Sequence, residues 1–236
     1  SHATAMRHPV RVLFVVLPQS LALDWAGPAE ALRLANAVLA EQGKPPVFAL
    51  EFVGPEPDPL TSVGVRLADV APLPILLNDA ADPVWVVLLG QPGNTVDVSS
   101  PAAQRLLHWL RGLHPAAGRC ELVCVCAGSI LAAHAGLLDG REATTHHQHL
   151  DELRTVAPRC HVLANRVFIE GEAVCTSAGV TTGIDLMLHR IARHCGALVA
   201  ARVAETLVVA LRRGPADPEL SPFLAYRGHL HLQLHR

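Results

Sequence analysis

Glu121-Leu122-Val123-Cys124-Val125-Cys126-Ala127-Gly128-Ser129 reads as an apolar strand that runs straight into the start of a helix. A cysteine at such a junction, with glycine two positions later, has the layout of a nucleophile elbow, with sulfur where serine is more familiar. The turn would aim the Cys126 sulfur out of the sheet. There a helix start favours thiolate, and the N–H of Ala127 can donate to an anion or oxyanion. The competing reading is a buried apolar cysteine, which is what most thiols outside disulfides are. Cys124 is read that way.

Working outward, the same alternation of apolar run and helical spacing recurs along the chain. Val10–Leu17 is a β-branched run, and Gly27-Pro28 opens a helix over Ala29–Gln42 that Gly43 closes. Val47–Val53 and Val84–Leu89 are further strands, with a short ribbon at Thr61–Leu67 between them. Ser99-Ser100-Pro101 is a helix-start signature, followed by Leu106, Leu107, Leu110 and Leu113. Gly128–Leu138 is helical, and Arg159–Ser177 holds weak strands in a hairpin-like pattern. Thr181 or Thr182 caps a helix with Ile184, Leu188 and Ile191 on one face, stopped by Gly196. A last helix from Ala197 carries Val199, Val203, Leu207 and Leu211, and Gly214-Pro215 ends it. Strands without polar alternation, separated by helices, predict an α/β fold: a mostly parallel central sheet with helices on both faces, a flavodoxin-like three-layer sandwich.

Composition narrows the function. Half of the 236 residues are hydrophobic and 17% are charged, which excludes a disordered chain. The 19 Lys and Arg against 21 Asp and Glu leave a net charge of −2, so the chain lacks the basic field that grips a phosphate backbone. Its longest apolar runs are strand-sized, too short for a transmembrane helix. With no secretory pattern at the start, the expected address is cytoplasmic, where the six cysteines would be reduced. Ser1 to Ala5 before Met6 reads as a vector-derived remnant, so residues 1–9 are expected to precede the fold.

The motifs resemble the ThiJ/PfpI superfamily, which is class I glutamine-amidotransferase-like, and within it the sensor domains of AraC-type transcriptional regulators and the related isonitrile hydratases. The matching pieces are Leu23-Asp24-Trp25-Ala26-Gly27-Pro28-Ala29-Glu30 after the first strand, Gly90-Gln91-Pro92-Gly93, and Cys126-Ala127-Gly128-Ser129. They continue with Ala135-Gly136-Leu137-Leu138-Asp139-Gly140 through Thr144-Thr145-His146, and with Thr176-Ser177-Ala178-Gly179-Val180 through Asp185. The resemblance implies that Asp24 is the acidic partner of Cys126, protonated to hydrogen-bond a thiolate or ionised to act as a base. It implies that Gly90 and Gln91, with Ala127 and Gly128, line the ligand site, and that His146 orients or deprotonates the thiol. Plain readings stand beside these: helix-entry decoration for Asp24, a Gly-Pro turn for Gly90 to Pro92, chance clustering for His146, His147 and His149. No metal or cofactor is expected.

Two functions are expected from the resemblance. The segment Ala200-Ala201-Arg202-Val203-Ala204 to Arg212-Arg213 is similar to the one by which AraC-type regulators leave the sensor domain. That implies a sensor domain over residues 10–213 and a linker, 214–236, towards a helix-turn-helix domain beyond this sequence. Such a domain would bind a small-molecule effector, form a homodimer and reach DNA only through the missing part. The face Val199, Val203, Leu207, Leu211 is a candidate dimer surface or a core-packing face. The alternative is a cysteine-dependent lyase or hydrolase of isonitrile-hydratase type. Against it, those relatives carry a hydroxyl residue directly after the cysteine, where this chain has Ala127.

Overall fold

The β-branched runs pair edge to edge, since each is apolar on both sides and must be covered on both faces. The computed structural model describes residues 8–76, 82–179, 181–207 and 214–215. Its central sheet is built from β1 (Val10–Val15), β2 (Phe48–Val53), β3 (Val84–Leu88), β4 (Cys120–Cys124), β7 (Phe168–Glu170) and β8 (Val174–Ser177). The spatial order is β2-β1-β3-β4-β8-β7, and every pair is parallel except β7 with β8. A separate two-stranded sheet pairs β5 (Glu142–Ala143) with β6 (His161–Val162).

The helices form two outer layers. α1 (Ala22–Glu41), α5 (Thr182–Cys195) and α6 (Ala197–Thr206) pack on one another, while α2 (Pro101–Arg111), α3 (Gly128–His134) and α4 (Leu150–Val156) form the other group. This is the expected three-layer α/β arrangement. In register, Val15 faces Leu88 and Leu88 faces Cys124, so β1, β3 and β4 end together. The segments after them, 16–20, 89–92 and 125–127, therefore meet at one edge of the sheet. Strand order reverses between β1 and β3, and open α/β sheets place ligands at such a switch point.

Several expected boundaries differ. The first helix begins at Ala22, seven residues before Ala29, and encloses Pro28. It has no side-chain cap. Instead Leu21 N–H donates to the carbonyl of Gly90 (3.0 Å) and Ala22 N–H to Ser62 Oγ (3.1 Å), so distant loops satisfy the first free donors. Gly27 and Pro28 serve packing: a Cβ on Gly27 would lie 2.8 Å from Ile184 of α5. The third helix stops at His134, ahead of Gly136 at φ 76°. α4 and the 3-10 turn at His147–His149 had no counterpart in the sequence reading.

The last helix's apolar face is a core face. Val199 and Val203 are buried against the chain's own interior with Leu207 half-buried beside them, so they offer no dimer surface. Leu211, the rest of the helix's expected end, and the 214–236 linker apart from 214–215 lie outside the described residues, as do residues 1–7. Among the described residues no helix is long and apolar enough to cross a membrane.

Candidate functional site

Cys126 is the residue at which β4 turns into α3. Its φ is +54°, a left-handed conformation that a non-glycine residue adopts only where the surroundings force it, and its side chain is 3% exposed. Hydroxyls hold the turn. Cys126 N–H donates to Ser177 Oγ (3.4 Å), while its carbonyl accepts from Thr145 Oγ1 (3.1 Å) and Ser129 Oγ (3.3 Å). Two residues on, Gly128 permits close packing, since a Cβ there would sit 2.4 Å from the carbonyl oxygen of Leu88. The chain thus passes from strand to helix in a sharp turn at Cys126, the layout read from the sequence.

Asp24, in the first turn of α1, lies across from it. A Cβ built on Gly90 would be 2.9 Å from Asp24 Oδ2, 3.1 Å from Cys126 Sγ and 3.2 Å from the backbone nitrogen of Ala127. Carboxyl, thiol and N–H thus converge on a single point that only glycine leaves open. Asp24 is wholly buried, and burial pushes its pKa up to about 7 against the opposing pull of the Gly90 N–H. That N–H donates to Oδ2 at 2.8 Å, and Oδ1 has no hydrogen-bond partner among the described residues. Oδ1 is accordingly the oxygen to carry the proton. Pro28, lacking an N–H, also leaves the carbonyl of Asp24 without its helical partner.

The remaining expected site residues divide. Gly90, which the resemblance puts at the ligand site, lies beside both Asp24 and Cys126, with its N–H committed to Asp24. Ala127 keeps its N–H at the convergence point. Gln91 faces the other way: its Oε1 accepts from Asp97 N–H (3.2 Å), and it lines a cavity of about 340 Å³ with Gln19, Glu56 and Thr95. His146 follows Thr145 on the chain, is half-buried, and caps the 3-10 turn by accepting Gln148 N–H at Nδ1 (3.2 Å). Its ring lies 4.2 Å from that of His147 and 6.0 Å from that of His149, yet no group of three His, Cys, Asp or Glu among the described residues is arranged to hold a metal. Cys124 is sealed in the core, where burial drives its thiol pKa far up.

Sequence reasoning assigned no role to Thr145, Ser129 or Ser177. Their signal lay in the hydroxyl pairs Thr144-Thr145 and Thr176-Ser177, which fold onto each other: Thr144 N–H donates to Thr176 Oγ1 at 2.8 Å.

A mostly parallel sheet with this strand order and a cysteine elbow facing a buried acid define the class, and the chain belongs to the DJ-1/PfpI family, whose profile matches residues 10–193. Among curated proteins it is 33% identical over 205 residues to the HTH-type transcriptional regulator CdhR of Pseudomonas aeruginosa, covering 86% of this chain and 56% of that one. The chain thus spans about half the length of that relative. Isonitrile hydratase of Pseudomonas putida matches at 36% identity over 94 residues, 40% of this chain and 38% of the enzyme. Among solved structures, an AraC family transcriptional regulator from Pseudomonas putida superposes with a TM-score of 0.67 at 20% identity, covering 84% of this chain and all of that one. This last likeness concerns the fold.

Proposed function

We propose that this chain is the ligand-sensing, self-associating domain of an AraC-type transcription regulator, acting in the cytoplasm and reaching DNA through a separate helix-turn-helix segment. The observation that carries the reading is the match to CdhR through 86% of this chain, with the remainder of that longer regulator unmatched. A net charge of −2 agrees with a domain that does not itself grip DNA. Cys126 and Asp24 form the heart of the sensing site, with His146 orienting and Gly90, Ala127 and Gly128 shaping it, while Gln91 lies on the far side of Gly90. An effector would act by binding one of two domain arrangements more tightly than the other. The test is a transcriptional reporter driven by the full-length natural gene product. Metabolite-dependent output that vanishes on deleting a downstream helix-turn-helix is expected, and a reading frame without such a segment overturns the proposal.

A second reading is a Cys126-dependent hydratase or hydrolase, favoured by the match to isonitrile hydratase and by the thiol and acid meeting at one point. Ala127 speaks against it, since the backbone N–H survives there but no hydroxyl does. Steady-state assays of this chain against isonitriles decide: turnover lost in Cys126→Ser establishes the enzyme, and none at any pH removes it.

A further inference from the structure

We propose that Thr145 is a positioning residue of the Cys126 site: through the carbonyl of Cys126 its hydroxyl aims and polarises the Ala127 N–H, the donor that an anion beside the thiol would meet. This rests on Cys126 being the heart of the site, and it holds whether that site senses or catalyses. The carbonyl of Cys126 and the N–H of Ala127 belong to one peptide unit, which is planar and trans, so the two point in opposite directions. A donor that grips the carbonyl from behind therefore fixes where the N–H points. In front, a Cβ on Gly90 would meet Asp24 Oδ2, Cys126 Sγ and the Ala127 nitrogen, all within 3.2 Å. Behind, Thr145 Oγ1 donates to the carbonyl at 3.1 Å and Ser129 Oγ at 3.3 Å. Donation to the carbonyl draws electrons towards oxygen and makes the N–H of the same unit a stronger donor, by about 10–30% per bond in cooperative chains.

The two hydroxyls differ in what they can fix. Ser129 lies in the first turn of α3, three residues on, so it moves with the turn and cannot hold it against the sheet. Thr145 comes from a different segment, and that segment is itself tied down. Thr144 N–H donates to Thr176 Oγ1 of β8 (2.8 Å), and the next residue of β8, Ser177, accepts the N–H of Cys126 (3.4 Å). The elbow, β8 and the 144–145 segment thus close a three-sided cycle, each side a bond made by a hydroxyl. Thr145, Thr176 and Ser177 are each sealed from solvent, so bulk water does not compete for these bonds. The β-branch of Thr145 also restricts its χ1, which leaves the hydroxyl few directions to point. At φ +54° Cys126 needs surroundings that over-determine its conformation, and side chains hold both its N–H and its carbonyl. Thr145 acts through this peptide rather than on the reacting atoms.

The test is the pH profile of Cys126 alkylation by iodoacetamide, followed by peptide mass, in Thr145→Val, Thr145→Ser and Thr145→Ala, with urea denaturation of each. Thr145→Val keeps the shape and removes the donor. It is expected to move the thiol's own inflection up by about one pH unit, leaving a roughly tenfold lower thiolate fraction below it. Thr145→Ser keeps the hydroxyl and should return the inflection to that of wild type, even where the missing methyl lowers the urea midpoint. A role limited to packing would lower the midpoints without moving the inflection, and that result overturns the proposal. A Thr145→Ser profile shifted as far as that of Thr145→Val overturns it too. If Thr145→Val does not fold, Thr145→Ser against Thr145→Ala isolates the same hydroxyl, and equal inflections overturn the assignment. The transcriptional reporter tells the two readings apart. Full-length protein that answers no metabolite overturns the sensor reading and leaves a shifted Thr145→Val profile in support of this one. An intact response beside an unmoved profile keeps the sensor and removes Thr145 from its site.

Discussion

A buried carboxyl beside a thiol makes the protonation of Asp24 a stability term as well as a chemical one. Its folded pKa of about 7 stands above the roughly 4 of an unfolded aspartate, so the folded state holds the proton more tightly. The stability from this neutral acid is fully present below about pH 4 and is lost as pH rises through 7. Urea denaturation of wild type and Asp24→Asn should therefore diverge with pH, wild type losing about 2 kcal/mol or more relative to the variant between pH 4 and 8. The alkylation rate of Cys126 should likewise lose an inflection near pH 7 in the variant, and identical pH profiles would separate thiol from acid. Gly90→Ala tests the same point from the other side. Its methyl would enter among Oδ2, Sγ and the Ala127 nitrogen, at an expected cost of about 1–3 kcal/mol in denaturation midpoint analysis together with an altered alkylation rate.

At the scale of elements, the elbow depends on how closely α3 approaches β3. Gly128→Ala would press a methyl against the carbonyl of Leu88, backbone against backbone, and neither strand nor helix start can yield cheaply. About 3 kcal/mol or more of stability should be lost, read by thermal and urea unfolding. This is also where the sequence was most legible. β1, β3, β4, α2 and α5 each bury a pattern of matching period within one element, and Ser100-Pro101 marks the start of α2 by a local bond. The start of α1 was illegible for the opposite reason. Its first donors are satisfied by Gly90 and Ser62, residues far along the chain, so no local capping residue announces it, and Gly27-Pro28 looked like an opening when it is a contact with α5. α4 buries only Leu153 on one short segment, too little to make a stripe. In the site, Cys126 and Asp24 were readable from motifs, whereas the roles of Thr145 and Ser177 depend on distant segments folding onto the Cys126 turn.

Across the whole molecule, one charged side chain joins the sheet to its covering layer. Arg190 of α5 is 1% exposed, lies 4.1 Å over the Trp85 ring, and donates to Glu121 Oε1 of β4 (2.9 Å) and to Cys175 Sγ of β8 (3.0 Å). Removing the cation alone strands a carboxylate in the interior. Arg190→Met is expected to cost about 3–5 kcal/mol, and Arg190→Met with Glu121→Gln to regain most of it, as a double-mutant cycle in urea would register. A double variant as unstable as the single would mean that stacking on Trp85, rather than charge pairing, is what Arg190 provides.

The long first helix has a bearing on that layer as well. Twenty residues make a rod of about 30 Å, with Asp24 near one tip and Glu41 at the other, where it pairs with Arg202 of α6 at 2.7 Å. The acid that answers to the thiol and the carboxylate that answers to the final described helix are thus opposite ends of one lever, with Pro28 as its weakest joint. Because α1 also packs on α5, where Gly27 meets Ile184, and on α6, the acid beside the thiol and the last described helix belong to one packed layer.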